Sequence, residues 1–377
     1  MELKNLQKHI RYLATMEETE APVISCYLNL ELGLPWYRNA LDERVALLRK
    51  TLTGATRRLF EEALDHIEAF IATELLLDAK GAVIFSRAGE KPLFLPLQFR
   101  MPLPNWFAVY PVPNIYHRVE LKDTYHHFVV MISTEQSARV LEINLGAVTE
   151  EIWKERPELR DRISTGWTKE HYQHHRKAQT EQFIAEKIKI LDRLMSAGGY
   201  THLILAGDTR ITALVKQALP KHLSAKLVDI VAASPRDKIS DVVAATVSSF
   251  VMREEMESLV MVDRLQREIN TNGLAVAGTE AALTALMWGQ ADVLVIAKAY
   301  ESEPGWLCAS CSMKGDKSQR PKACPQCGGK DLNDLNLKEE MVRLAEKHGC
   351  KVEIVSHSDV LMMLGGVGCL LRYRMKS

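Results

Sequence analysis

Four cysteines stand in two matched pairs, Cys308-Ala-Ser-Cys311 and Cys324-Pro-Gln-Cys327, with twelve residues between the pairs. Four soft thiolates at this spacing can close around one tetrahedral ion, a donor set that selects zinc or, less often, iron. Ala309, Ser310, Pro325, Gly328 and Gly329 are the small or turn-forming neighbours that a knuckle aiming two sulfurs at one ion requires. A disulfide pair or a redox C-x-x-C is the competing reading. A redox pair usually sits alone at a strand-to-helix junction, and two matched pairs argue against it. A closed four-sulfur site has no open position for chemistry. Its contribution is folding energy, about 10 kcal/mol for zinc in a small module. The expectation is a structural Zn2+ held by Cys308, Cys311, Cys324 and Cys327 in a ribbon spanning 304–332.

A second stretch, Ile163-Ser-Thr-Gly-Trp-Thr-Lys-Glu-His-Tyr-Gln-His-His-Arg-Lys177, mixes aromatic rings with cations. Trp167 and Tyr172 interleave with Lys169, His171, His174, His175, Arg176 and Lys177, opposed only by Glu170. Rings stack on bases while cations pair with phosphates, the combination that holds single-stranded or looped RNA. Gly166, Trp167, Lys169, His171, Tyr172, Gln173, His174, His175, Arg176 and Lys177 are therefore the candidate RNA-binding residues. A solvated basic helix is the plainer alternative. His171, His174 and His175 share a helix face, but no neighbouring carboxylate or cysteine completes a metal set. A histidine base would need a positioned nucleophile or water, and the sequence offers none. No catalytic residue is assigned.

Two further basic groups are weaker. Arg38, Arg44, Lys50, Arg57 and Arg58 could touch RNA phosphates or simply solvate a helix face. Lys314, Lys317, Arg320 and Lys322, against Asp316, give the ribbon a basic edge.

The elements that position these residues alternate between helices and strands, the pattern of α/β layers. A helix over 2–17 carries Leu3, Leu6, Ile10 and Leu13 on one face. A strand over 22–30, helices from 39 to 75 broken near Gly54, and strands at 81–85, 92–96 and 107–110 follow, before a proline-rich end. Strands at 127–132 and 138–143 precede a helix over 169–195. Strands at 201–206 and 226–230 flank Asp208, which suits a helix cap, and a helix over 238–269 closes this part. The last part reads as a helix over 280–289, a strand over 292–298, the ribbon, a helix over 337–348, a strand over 351–355, a short helix from Ser358 and a strand over 370–374.

At 377 residues, 47% apolar and 25% charged, the chain has ample core for two or three domains. Its formal charge is zero, so any nucleic-acid contact must use local patches. No run of about 18 apolar residues and no signal-peptide pattern appears, and seven cysteines make no disulfide framework. A cytoplasmic protein with no membrane partner is expected.

Thr279-Glu280-Ala281-Ala282-Leu283-Thr284-Ala285-Leu286 with Gly289, the strand ending at Lys298, and Gly365-Gly366-Val367-Gly368-Cys369-Leu370-Leu371-Arg372-Tyr373 resemble the third domain of the archaeal and eukaryotic class-one peptide release factors and of Pelota. The order of elements from 126 resembles the middle domain of the same family. The resemblance implies an N-terminal α/β domain over 1–124, a ribonuclease-H-like domain over 125–272, and a kink-turn-binder-like domain over 273–377 carrying the ribbon. It extends to a bacterial release-factor-like branch that includes the Balon-type ribosome hibernation factors. It implies binding to rRNA of both subunits in the ribosomal A site, with a translational GTPase, elongation factor Tu, as partner.

The Asn-Ile-Lys-Ser stop-codon signature of the termination factors is absent. Their Gly-Gly-Gln loop, which helps place the water that attacks the peptidyl-tRNA ester, is replaced as well. Thr165 and Trp167 flank Gly166 where the first glycine and the glutamine would stand. Indole offers only an N–H donor and no carbonyl acceptor to orient water. Gln173, seven residues beyond Gly166, lies inside the expected helix. The expected function is A-site occupancy without hydrolysis, in hibernation or rescue. The alternative is a peptidyl-tRNA hydrolase that uses a different loop. A metal-dependent RNA adaptor acting off the ribosome is a third reading.

Overall fold

The computed structural model describes residues 3–19, 21–31, 33–77, 79–99, 101–124, 128–134, 137–144, 147–155, 169–197, 200–234, 237–301, 304–311, 313–315 and 321–374. The fold is mixed α/β and divides into two compact units. One joins Leu3–Thr124 to Glu255–Ser377; the other is Tyr125–Glu254.

The first unit begins with α1 (Leu3–Ala14), β1 (Val23–Asn29), α2 (Leu34–Thr51), α3 (Gly54–Thr73), β2 (Gly81–Arg87), β3 (Leu93–Phe99), β4 (Trp106–Tyr110) and α4 (Tyr116–Thr124). Its strands form an antiparallel sheet in the order β3-β2-β1-β4. Successive side chains of a strand face opposite ways. Ile24, Cys26 and Leu28 join Ile84 and Phe107 against Leu41, Val45, Phe60, Leu64 and Ile67 of α2 and α3. The intervening residues hold the turn that leads into α4: the Tyr27 hydroxyl donates to the Asn114 carbonyl at 2.8 Å, and the Asn114 N–H donates to Ser25 Oγ at 2.9 Å. Sequence reading found only loop where α4 stands, because prolines at 111 and 113 mask a short helix that begins immediately after them.

The second unit contains β5 (Phe128–Ser133), β6 (Ser137–Asn144), β7 (Ala147–Glu155), α5 (Lys169–Ala197), β8 (His202–Gly207), α6 (Thr209–Ala218), α7 (Lys221–Ser224) and β9 (Leu227–Ala232). The helix α8 (Ile239–Asn270) has its residues divided between the units after Glu254. The sheet runs β7-β6-β5-β8-β9, parallel across β5, β8 and β9 and antiparallel across β5, β6 and β7. One face packs Val129, Met131, Leu203 and Leu205 on Ile184, Leu191 and Met195 of α5 and Ile211 and Val215 of α6. The other packs Phe128, Val130, Ile204 and Ala206 on Val242, Val243 and Phe250 of α8, with the Phe128 and Phe250 rings stacked at 4.5 Å. Asp208 caps α6 as expected, accepting the Arg210 and Ile211 N–H groups at 2.9 and 3.1 Å. The strand β7 went unread because its Glu150, Glu151, Lys154 and Glu155 give the charged texture that protects an edge strand.

The first unit resumes within α8 at Glu255 and continues with β10 (Ala275–Ala277), α9 (Thr279–Met287), β11 (Ala291–Ala297), β12 (Gly305–Cys308), β13 (Lys314–Gly315), β14 (Leu332–Leu335), α10 (Leu337–Lys347), β15 (Lys351–Val355), α11 (Asp359–Met363) and β16 (Val367–Leu371). One sheet has the order β10-β16-β11-β15, with β11 and β15 parallel. The last strand starts three residues earlier than the expected 370–374. Gly365 and Gly366, at φ 95° and 74°, complete the turn out of α11, and pairing with β11 begins at once.

Candidate metal centre

The strands β13-β12-β14 form a separate three-stranded sheet that carries the cysteines. Cys308 ends β12, its N–H donating to the Met313 carbonyl at 2.8 Å; the Ala309 N–H donates to the Asp331 carbonyl at 3.0 Å. These two bonds close the first knuckle. The second is closed by Cys324 N–H to the Gly329 carbonyl at 2.7 Å and Gly328 N–H to the Cys324 carbonyl at 2.8 Å. Gly328 sits at φ 74°, where a side chain is strained. A Cβ on Gly329 would lie 3.3 and 3.4 Å from the Cys327 and Cys308 sulfurs, so glycine leaves room for the cluster.

All four sulfurs lie within 4.8 Å of one another. Cys308 and Cys327 are 3.5 Å apart, and Cys311 and Cys324 are 3.4 Å apart. A disulfide requires about 2.05 Å; tetrahedral sulfur ligands at about 2.3 Å from zinc stand nearly 4 Å apart. The spacing thus suits a shared ion. Beneath lie Trp306, Cys308 and Cys324, with Met313 and Leu332 packed against them.

The electrostatics point the same way. The Cys311 amide, and behind it the Ser310 amide, aim at the Cys308 sulfur and hold its thiol down to about 6. The Met313 amide favours a Cys311 thiolate, but burial and the surrounding sulfurs outweigh it and push that thiol up to about 12. The Gly329 amide and the Cys311 sulfur favour a Cys327 thiolate, but the Cys308 and Cys324 sulfurs and burial outweigh them, so that thiol is raised as well. A thiolate at Cys308 works against a second at Cys311 or Cys327 until a cation compensates them. The four residues fit a thiophilic metal ion.

The other candidates fall out differently. Gly166 and Trp167 lie outside the described residues. Lys169, His171, Tyr172, Gln173, His174, His175, Arg176 and Lys177 occupy the first turns of α5, and only their backbone is described. In the N-terminal group, Arg38 pairs with Glu68 and Asp42, and Arg57 lies 3.9 Å from Glu61. Lys317 and Arg320 lie outside the described residues, and Lys322 is exposed. Lys314 is a correction. It turns inward from the basic edge of the ribbon and pairs with Glu340 of α10 at 2.5 Å.

Sequence reading missed the carboxylates around α10. Asn336 caps α10 by accepting the Glu339 N–H at 3.1 Å, and Asn-x-x-Glu reads as a reciprocal capping box. Only half is made: the Glu339 carboxylate instead accepts the N–H groups of Ile115 and Tyr116 at the start of α4, the second at 3.1 Å. At the other end of α4, Asp123 accepts the Ile354 N–H at 2.7 Å, covering a donor on the edge strand β15. Glu120 pairs with Lys298 at 2.7 Å. The signal available was the Glu339-Glu340 pair among apolar neighbours, which burial had to supply with partners.

Residues 113–250 match the model of bacterial archaeo-eukaryotic release factor family 10, and residues 255–375 match that of eRF1 domain 3. Peptide chain release factor subunit 1 of Pyrococcus abyssi is 21% identical over 426 aligned residues, covering 99% of this chain and 98% of that protein. Its counterpart in Thermococcus sibiricus is 25% identical over 126 residues, so the match spans only 30% of that relative's length. Among solved structures, Archaeoglobus fulgidus Pelota is 15% identical, with 100% of this chain and 93% of that chain covered and a TM-score of 0.39. An archaeal translation termination factor is 15% identical, with 99% of each chain covered and a TM-score of 0.26. Over residues 113–250 and 255–375 the chain is thus homologous to the archaeal and eukaryotic class-one release factors, through a bacterial release-factor-like family.

Proposed function

We propose that this translation factor enters the ribosomal A site and occupies it without hydrolysing peptidyl-tRNA, in hibernation or rescue of idle ribosomes. The observation that carries this reading is Thr165-Gly166-Trp167, standing where its termination-factor relatives need Gly-Gly-Gln. Indole cannot accept the hydrogen bond that a water nucleophile must donate. Trp167 and the cationic residues through Lys177 instead stack on bases and pair with phosphates of rRNA.

On this proposal the five-stranded sheet belongs to a ribonuclease-H-like domain over 125–272. The β10-β16-β11-β15 sheet belongs to a kink-turn-binder-like domain over 273–377, and 1–124 is the third domain. The four cysteines hold a structural zinc, and elongation factor Tu accompanies the cytoplasmic protein. Homology over 113–250 and 255–375 supports a ribosomal role. Co-sedimentation with 70S particles tests binding, and release of labelled peptide from programmed ribosomes tests hydrolysis. Binding without release is expected. No binding at low and at moderate salt overturns the ribosomal reading; release lost on Gln173→Ala establishes the hydrolase alternative.

A further inference from the structure

We propose that the metal ribbon controls docking of the N-terminal segment, residues 3–124, on α10, so that ion occupancy and docking strengthen each other. This rests on the reading of the four cysteines as metal ligands. The connection runs through named side chains. Lys314 follows Cys311 by three residues and is fixed by the Cys308–Met313 backbone bond at 2.8 Å. Its ammonium lies 2.5 Å from Glu340 Oε1, with side-chain exposures of only 10% and 3%. Glu340 also accepts from Arg343 at 2.9 and 3.0 Å, and Arg343 reaches the Ala14 carbonyl at the end of α1 at 3.4 Å. Beside Glu340, Glu339 holds the first amides of α4.

Direct packing reinforces the relay. A Cβ on Gly305 of β12 would lie 2.5 Å from Leu337 Cδ2, so the ribbon rests on the first turn of α10. The ribbon's own core is Trp306, Cys308 and Cys324, too small to stay folded without its ion. When the ribbon opens, Lys314 leaves Glu340 and a buried carboxylate loses one of its two cations. Arg343 must then compensate Glu340 alone, which draws it from the Ala14 carbonyl and shifts the turn that presents Glu339. The grip on α1 and α4 loosens. Linkage requires the converse: a docked segment 3–124 raises metal affinity.

Amide exchange of the full chain, with and without bound zinc, reads the coupling. Removing zinc is expected to speed exchange in α1 and α4 at least tenfold, with β5 and β8 unchanged. A chain that takes up no zinc overturns the ribbon reading and the coupling with it. Zinc uptake with unchanged exchange in α1 and α4 overturns the coupling alone. Lys314→Met, loaded with zinc, separates the relay from loss of the ribbon fold. Zinc content should stay at the wild-type level while α1 and α4 exchange about tenfold faster; Lys351→Met, at the more exposed Lys351–Glu353 pair, should change neither. Wild-type exchange in Lys314→Met contradicts the proposal. In Arg343→Met, distant in sequence from the ligands, zinc affinity measured against a chromogenic chelator should fall about tenfold. Unchanged affinity contradicts the proposal as well.

Discussion

The ribbon and the segment leading into α5 bring residues to their chemistry by opposite routes. In the ribbon, four identical donors fall within twenty residues, 308–327, and backbone turns alone bring their sulfurs within 4.8 Å. The reading needs nothing beyond the local sequence. Around Gly166 the residues carry no such signature of their own: Trp167 gains its proposed role only beside the glutamine of the termination factors. A spacing motif states its own chemistry, whereas a departure from a motif states only which chemistry has been given up.

The largest expected effect breaks the first half of that comparison. Cys324→Ser should abolish stoichiometric metal binding and remove about 10 kcal/mol of metal-dependent folding from the ribbon. Metal analysis and exchange of the 305–335 amides read it; retained metal at one ion per chain would refute the four-sulfur site. Next comes the helix beneath the ribbon. Burial pushes the Glu339 carboxyl up to about 8 from 4.5, outweighing the Ile115 and Tyr116 amides, with Glu340 adding to the rise and Arg343 opposing it. The folded chain keeps a proton there that the unfolded chain releases above about 4.5. This contribution is therefore fully present below pH 4.5 and is lost as pH rises through 8. Chemical denaturation at pH 5 and pH 8 should show Glu339→Gln with a flatter pH dependence than wild type, by a few kcal/mol. Equal slopes would contradict the buried, protonated carboxyl.

Trp167→Ala sharpens the other half. It should leave metal content and melting temperature unchanged while weakening 70S binding by about 5- to 150-fold, as loss of a base-stacking ring does at about 1–3 kcal/mol. Undiminished binding would show that the ring does not stack. The smallest effect is that of Gly329→Ala. Its Cβ meets Ser310 Oγ at 3.0 Å and two ligand sulfurs at 3.3 and 3.4 Å, so metal affinity should drop several-fold with the fold retained. Titration against a chelator measures it.

Much of the fold was legible where periodicity acts within one element. The unbroken apolar runs of β5 and β8, buried on both faces of the sheet, and the long helices α5 and α8 follow from the placing of apolar residues, and Asp208 announces its own cap. What escaped depends on partners distant in sequence. The helix α4 is fixed by Glu339 and by the edge amide it covers through Asp123, more than two hundred residues away. Lys314 reads as a solvated charge until α10 supplies Glu340. The sequence spacing of a carboxylate does not reveal which amide it will find. The cysteine site was readable because its ligands are near neighbours in the chain.

No helix among the described residues is long and apolar enough to cross a membrane. Among the same residues, the other group that could hold a metal ion includes His202 and Glu254, which lie 3.5 Å apart with no cysteine in the group.

The proposed function has the chain fill a catalytic centre without completing one. Its most direct test is single-turnover release of labelled peptide from ribosomes that carry peptidyl-tRNA in the P site and this protein, at stoichiometric occupancy, in the A site. It predicts full occupancy and no release above the spontaneous rate. Release that rises with occupancy and disappears on Gln173→Ala would contradict it.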